Sequence, residues 1–474
     1  MVTLAEFLRL LPDAQLLTAD GHAGALALSG VSTDTRTLAP GSLFVALRGE
    51  RFDGHAFAAD ARAAGAAALL VDHALDVAAP QIVVADTRRA LGQAAAGWRA
   101  RFELPVIAVT GSNGKTTVTQ MLAAILSVVY PDKGADRNGA DRNGDTNGRR
   151  AWLATRGNLN NDIGVPLMVF ELRKAHRIAV LELGMNHPGE IALLATIARP
   201  TIALVNNAQR EHQEFMDSVE ATAYENGAAI AALAPEGVAV FPADDACAAI
   251  WRQLAGTRRV VDFAQHAQAT VTAHEKPTSA GTRLDIASPL GAFHVDLRVG
   301  GAHNAHNALA ATACALAAGI RPTDIAAGLA SFTPVKGRGV RHVLPSGALL
   351  VDDSYNANPD SVRAAIDLLA TLPAPRTLVL GDMGEVGDQG PAFHREVGGY
   401  ARQRGIERLL ALGSASVEAV LAYGQGGAHC ADVDVLIEAT RTAAAKGSVL
   451  VKGSRFMRLE RVVAALTGQD TKSH

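Results

Sequence analysis

The run Gly111-Ser112-Asn113-Gly114-Lys115-Thr116-Thr117 carries the chemistry most clearly written in this chain. Glycines let backbone N–H groups approach phosphate oxygens, and a following helix N-terminus adds a field that favours an anion. In such a loop Lys115 reaches the β- and γ-phosphates and the Thr116 hydroxyl binds Mg²⁺. The longer pattern GxxxxGK[ST] would need glycine at position 109, where this chain has Val109; the shorter GxxGKTT is present instead. The alternative is a glycine-rich turn with a solvated lysine. The loop alone does not separate kinase, hydrolase and ligase.

Two further positions belong with the loop. Glu182 ends the apolar run Ile178 to Leu183, and His212 follows the run Thr201 to Val205 after Asn206-Asn207. Ligands of open α/β sheets gather at the C-terminal ends of strands. A carboxylate there can hold Mg²⁺, which prefers oxygen ligands; the alternatives are an N-cap carboxylate at 182 and a structural histidine at 212. The segment Gly301-Ala302-His303-Asn304-Ala305-His306-Asn307 opens an Ala-rich helix. The amides of Asn304 and Asn307 can pair with an adenine edge, or Asn304 can cap the helix.

These residues need a frame. With 474 residues the chain suggests about three domains at roughly 150 residues each. Hydrophobic residues at 49% and charged residues at 19% allow large cores and argue against global disorder. The net charge of -3 offers no basic footprint for nucleic acid. Cys247, Cys314 and Cys430 lie far apart without a CxxC pair, against a disulfide framework or a zinc site. The start Met1-Val2-Thr3-Leu4-Ala5-Glu6 lacks a basic n-region, and polar residues interrupt the Ala-rich runs. The expectation is a soluble cytoplasmic protein without membrane insertion.

Strand-like runs alternate with helical patterns, which predicts α/β architecture with mostly parallel sheets. A first α/β unit spans residues 1–87, with strands over Ser42–Leu47 and Ala67–Val71 and a helix over Ala56–Ala64. A central unit spans 88–320. Its strand Val106–Thr110 precedes the glycine loop, and Val118, Met121, Leu122, Ile125 and Val129 recur at helical spacing. Further central strands are expected at Ile178–Leu183, Thr201–Val205 and Val238–Phe241. A third, Rossmann-like unit spans 321–474, with strands at 349–353, 377–380, 409–412 and 449–452. The tandem Ala-Asp-Arg-Asn-Gly repeat inside residues 130–150 has turn-forming composition and no apolar face, and is expected to be a flexible surface insertion.

Taken together, the motifs resemble the Mur ligase family over nearly the whole chain apart from that insertion. Ser32-Thr33-Asp34-Thr35-Arg36, Gly41 to Leu47 and Phe52-Asp53-Gly54-His55 look like the family's uridine-nucleotide segment. Thr110 to Thr117 looks like its phosphate loop. Thr155-Arg156-Gly157-Asn158-Leu159-Asn160-Asn161 is similar to its substrate-side loop, Glu182 to Asn186 with His212 to its magnesium site, and Gly301 to Asn307 to its adenine side. Gly337-Arg338, Asp353-Ser354-Tyr355-Asn356-Ala357-Asn358-Pro359, Gly381 to Glu385 and Leu450 to Arg455 resemble the segments that reach ATP from the last domain.

The resemblance implies a UDP-binding first domain, an ATP-binding centre and a C-terminal ligase domain. ATP would be used with Mg²⁺ held by Thr116, Glu182 and His212. Lys115, Glu182, His212 and Arg338 would act on the reaction. Gly111 to Thr117, Asn304, Asn307, Arg338, Asp353 and Asn356 would bind the nucleotide. Ser32, Asp34, Arg36, Asn158, Asn160 and Asn161 would bind the acid substrate. The Ser-Tyr-Asn-Ala-Asn form implies that the enzyme joins D-alanyl-D-alanine to UDP-N-acetylmuramoyl-tripeptide; diaminopimelate and lysine both stay open as the third peptide residue, and a monomer is expected. One departure stands out. Many family members carry a lysine, often carbamylated, in the helix after the histidine corresponding to His212, and here that position falls on Asn226. A second Mg²⁺ would then rest on Glu182, His212, water and substrate. The other readings are a folylpolyglutamate-type ligase, a P-loop switch or metal-delivery NTPase, and a non-catalytic nucleotide-binding module.

Overall fold

Short apolar runs make buried strands here because both of their faces are covered. In a computed structural model, which describes residues 2–18, 22–49, 52–131, 150–211, 213–278 and 281–468, the strand Val106–Thr110 is buried throughout. Its side chains alternate between two cores, as the twofold period of a strand demands. Val106 and Ala108 join Ala179, Leu181, Ala203 and Val205 on one face; Ile107 and Val109 join Val180, Leu204 and Val118 on the other. This division explains why the strands read as continuous apolar runs instead of alternating patterns.

The central sheet has six parallel strands in the order 259–260, 238–240, 202–205, 106–110, 178–182, 152–154. Val106–Thr110 lies between Ile202–Val205 and Ile178–Glu182: the chain first runs out to the 152–154 edge and back through 178–182, then crosses to the other side at 202–205. That reversal opens a crevice at the C-terminal ends of these strands, where open α/β sheets bind ligands. The loop 111–114, Glu182 and Asn206 all follow from those ends.

Two other sheets match the expected α/β pattern. The first holds five strands, with Leu43–Val45 and Ala68–Val71 at its middle and one antiparallel edge strand, Gln15–Leu17. The last holds six, among them Leu349–Asp353, Arg376–Gly381, Arg408–Leu412 and Ser448–Lys452, again with one antiparallel edge. The expected helix near Ala56–Ala64 forms as a 3₁₀ turn, Gly54–Phe57, running into an α-helix, Ala58–Ala63.

A fourth sheet was not foreseen from the sequence. Phe263–Ala264, Val271–Pro277, Thr282–Ala287 and Phe293–Leu297 form a mostly antiparallel layer. Thr282–Ala287 alternates inward and outward residues. The layer's inner face shares a core with helix Ala302–Ala317. The tandem repeat lies in residues 132–149, outside the described residues. Among the described residues no helix is long and apolar enough to cross a membrane.

Candidate active site

Gly111 and Gly114 have φ of +125° and +85°. The second is fixed by crowding as well as by φ: a Cβ on Gly114 would stand 2.2 Å from Asn307 Oδ1 and 2.5 Å from Asn206 Nδ2. Only glycine lets the loop pass between these amides and the helix that follows. That helix, Lys115–Val129, begins after Gly114, which supplies no capping side chain. Its first N–H groups are therefore left for an anion in the cavity.

A cavity of about 1050 Å³ lies over this helix end. Residues of the loop, the segment 158–162, Glu182, the helix start at Asn304 and Asn307, and the C-terminal Arg338, Asp353 and Asn356 all line it. The structure thus brings Ser112 to Thr117, Asn158, Asn160 and Asn161 to one place with the residues expected around ATP. Ser32, Asp34 and Arg36 are not among the lining residues. They make their own turn in the first unit: Arg36 forms a bidentate pair with Asp34, and the Ser32 hydroxyl donates to Asp34 O at 3.0 Å. His212 lies outside the described residues.

Lys115 Nζ donates to Gly111 O at 2.6 Å and stands 3.2 Å from Glu211 Oε1. Both side chains of this pair are largely buried. Glu211 was not singled out in the sequence, because only the return of the chain after Ile202–Val205 sets it against the loop. The next strand end holds Glu182, 2% exposed. Asn160 Nδ2 donates to Glu182 Oε1 at 2.8 Å, while Oε2 is buried without a hydrogen-bond partner. An orphaned buried carboxylate oxygen is costly unless something completes it. An oxygen-seeking cation between Glu182 and the Thr116 hydroxyl fits that deficit. Asn160, expected on the substrate side, orients this carboxylate. Asn161 Oδ1 accepts the N–H groups of Ile163 and Gly164, fixing the start of helix Gly164–Phe170.

Asn226 has a different task from a metal ligand. Its Oδ1 accepts the Gly111 N–H at 2.8 Å and its Nδ2 donates to Thr222 O at 3.1 Å, all within a buried pocket. Both halves of the amide are used in holding the phosphate loop.

On the opposite wall, Asn304 does not cap its helix. The cap is Gly301, and Asn304 Nδ2 donates to Gly300 O at 2.9 Å. Asn307 Oδ1 accepts from Asn206 Nδ2 at 2.9 Å. His306 Nε2 lies 2.8 Å from Asn206 O, a carbonyl, so this nitrogen carries the proton. Burial lowers the pKa of both His303 and His306.

The C-terminal unit supplies the roof. Lys452, 4% exposed, pairs with Asp353 at 2.7 Å and donates to Asn356 O at 3.0 Å. The Arg338 guanidinium lies over the Tyr355 ring, 4.2 Å from its centroid. Two ties join roof and loop. Asn358 Nδ2 donates to Asn113 Oδ1 at 3.0 Å. Arg210 binds both Asp360 and Glu396 at 2.6 Å. The sequence showed neither, since the partners lie 245, 150 and 186 residues apart.

The combination is suited to one kind of step: a helix N-terminus and a lysine for a triphosphate, a free buried carboxylate oxygen for a divalent cation, and a second cationic wall facing them. Such a site can neutralise two anions brought together.

Known proteins resemble this chain along nearly its whole length. Three family profiles match in chain order: Mur ligase family, catalytic domain, over residues 27–99; Mur ligase middle domain over 109–315; and Mur ligase, glutamate ligase domain, over 338–455. The UDP-N-acetylmuramoyl-tripeptide--D-alanyl-D-alanine ligase of Escherichia coli K12 is 42% identical, with 99% of both chains covered. Among solved structures, MurF from Acinetobacter baumannii superposes with TM-score 0.83 at 35% identity, covering 93% of this chain and 94% of that one. MurF from Thermotoga maritima in complex with ADP gives 0.78 at 25% identity, covering 93% and 97%. The three matched segments follow in chain order and the fold is shared over nearly the whole chain, and the chain belongs to the Mur ligase family.

Proposed function

We propose that this chain is the ATP-dependent ligase that joins D-alanyl-D-alanine to the terminal carboxylate of UDP-N-acetylmuramoyl-tripeptide. The products are the UDP-muramoyl-pentapeptide precursor of peptidoglycan, ADP and phosphate. The observation that carries the reading is the convergence of three walls on one cavity: the loop with Lys115, Glu182 with its unpartnered oxygen, and the roof of Arg338, Asp353 and Asn356. The 42% identity to the Escherichia coli enzyme over 99% of the chain supports the substrate pair.

The substrate carboxylate attacks the γ-phosphorus of ATP, the bond to the β-bridging oxygen breaks, and ADP leaves. The dipeptide amine then attacks the carbonyl of the acyl phosphate; the amine proton is lost and phosphate departs as the amide forms. No protein nucleophile is required. Catalysis consists of positioning and charge neutralisation. In this reading Lys115 leaves Glu211 for the β- and γ-phosphates, and the loop N–H groups hold the remaining phosphate oxygens. Thr116, Glu182 and His212 would hold Mg²⁺, which supplies positive charge between two anions. Asn160 holds Oε1 of the Glu182 carboxylate and leaves Oε2 for the cation. Asn304 and Asn307 flank the adenine, while Arg338, Asp353 and Asn356 close over the nucleotide and exclude water from the acyl phosphate.

Asn158 and Asn161 would meet the peptide end of the acid substrate. Ser32, Asp34 and Arg36, outside the cavity, would hold its UDP end. We organise the chain as units 1–87, 88–320 and 321–474. The packing of Ile325 and Leu329 in the central core supports moving the last boundary beyond helix Pro322–Ser331. ATP and a nucleotide-activated precursor as substrates support a cytoplasmic place of work, and the three buried free cysteines agree with a reducing compartment. The test is phosphate release from MgATP with UDP-muramoyl tripeptide, with and without D-alanyl-D-alanine. Release that needs both is expected; release indifferent to the dipeptide overturns the reading.

A further inference from the structure

Residues 209–211 leave the central sheet beside the phosphate loop, and their side chains divide in two directions. Asn113 Nδ2 donates to Gln209 Oε1 at 2.6 Å, and Glu211 meets Lys115 at 3.2 Å. Between them, Arg210 turns to the C-terminal unit. Its own N–H donates to Asp360 Oδ2 at 2.9 Å, and its guanidinium binds Asp360 and Glu396 together, each at 2.6 Å. The Phe393 ring lies 5.2 Å from the guanidinium carbon.

This is not an ordinary surface ion pair. Isolated exposed pairs contribute little because two long side chains must be ordered in water. Here the Arg210 side chain is 23% exposed, both carboxylates are partly covered, and the guanidinium fork is filled on two sides. The contact holds Glu396 below the usual carboxylate range, with Arg210 the chief cause. Asp360 stands in the first turn of helix Pro359–Ala370. The N-cap of the same helix, Asn358, bonds Asn113 of the phosphate loop. Two ties from the ATP side therefore converge on one helix start. The segment just before that start carries Asp353 and Asn356.

We propose that Arg210 is a positioning residue that latches the C-terminal unit to the phosphate loop and sets Asp353 and Asn356 over the nucleotide. The inference rests on the ligase reading given above. A latch of this kind acts on the geometry of the closed site and not on the affinity of the phosphate loop for nucleotide. Removing it keeps the phosphate-loop contacts to the nucleotide and lowers turnover far more than nucleotide affinity, because misplacement by about 1 Å can cost on the order of 100-fold.

The test uses the full chain with Arg210→Met, Glu396→Gln and the double variant. For Arg210→Met, kcat falls at least about tenfold and, with the C-terminal unit holding the dipeptide, the KM for D-alanyl-D-alanine rises about tenfold. Binding of a non-hydrolysable MgATP analogue, by calorimetry, weakens by much less than kcat falls. Arg210→Lys recovers part of the loss. The double variant is no worse than Arg210→Met, since the partners act as one unit. Wild-type kcat and dipeptide KM in Arg210→Met overturn the proposal. So does a loss matched by an equal fall in nucleotide affinity or by unfolding on melting. Small-angle scattering with the bound analogue gives a readout independent of the reaction: Arg210→Met is expected to be more extended than wild type, and equal radii of gyration overturn the latch. If the wild type shows no dipeptide-dependent phosphate release, the ligase reading fails instead.

Discussion

Asn226 Oδ1 accepts the backbone N–H of Gly111 at 2.8 Å, in a place where the helix also turns its Thr222 carbonyl to the Asn226 amide. This bond explains why an amide is at home in a position where many family members carry a lysine. The N–H of a glycine at φ +125° finds its acceptor in the Asn226 amide without any modification, whereas an uncarbamylated lysine amine has none to offer. Asn226→Ala leaves that buried N–H unpaired, at about 1–3 kcal/mol. The expected result is a raised KM for ATP and a lowered melting midpoint, read by kinetics and calorimetry. Carbon dioxide and bicarbonate removal is expected to leave activity unchanged, because no lysine is present at 226 to be carbamylated. Reversible loss of turnover on their removal would show that another residue carries a carbamate.

Glu182 should be separable from its support. Glu182→Gln keeps an acceptor for Asn160 and removes the charge that a buried cation needs. Turnover is expected to fall steeply at all Mg²⁺ concentrations. Asn160→Ala leaves the charge and loosens its orientation, so the Mg²⁺ requirement is expected to rise roughly 10–100-fold while kcat at saturation partly recovers. A Mg²⁺ titration of phosphate release checks both. An unchanged requirement in Asn160→Ala would mean that the bond at 2.8 Å does not set the carboxylate.

Lys115 and Gly114 test the phosphate loop from two sides. Lys115→Ala is expected to fold, since its bonds to Gly111 and Ser112 are local and the loop is held independently by Asn226, Asn207 and Gln209. Its turnover should fall roughly 100-fold or more, as expected for loss of a charge-stabilising group in a closed site. Gly114→Ala fails differently. Its Cβ would collide with Asn307 Oδ1 at 2.2 Å on a backbone at φ +85°. The loop must shift, so nucleotide binding itself is expected to fall. Calorimetry with a non-hydrolysable analogue distinguishes the two; near-normal turnover of Lys115→Ala would remove the loop from the mechanism.

These tests follow how legibly the chain was written. Val106–Thr110 and its neighbours were readable because strands covered on both faces are apolar except at the ends that face the site. The phosphate loop was readable because glycine, lysine and threonine lie within seven residues. The antiparallel layer 263–297 was not, since its alternation is short and its polar face carries residues such as Arg283 and Asp285 that read as loop. Arg210 was invisible for another reason. Its partners Asp360 and Glu396 are far away in the chain, and an arginine in a loop has no period to betray it. The role of Asn226 needed the Gly111 backbone in three dimensions.

His303 and His306 give a pH test. Burial lowers both below the ordinary value of 6.5. For His303 the facing charges are Asp353, which opposes the shift, and Lys452 and His306, which add to it; for His306, Asp244 and Asp245 oppose it. In the unfolded chain these imidazoles take up protons near pH 6.5, while the folded ones stay neutral to lower pH. Between the two values the unfolded state binds more protons, so stability rises with pH. Their effect is therefore absent above about pH 7 and grows as pH falls through about 6.5 toward the folded values. The melting midpoint is expected to drop between pH 7 and about 5.5. His306→Gln, whose amide can still donate to Asn206 O, should flatten that slope. A variant with the wild-type slope would show that the histidines at the start of helix Ala302–Ala317 do not control it.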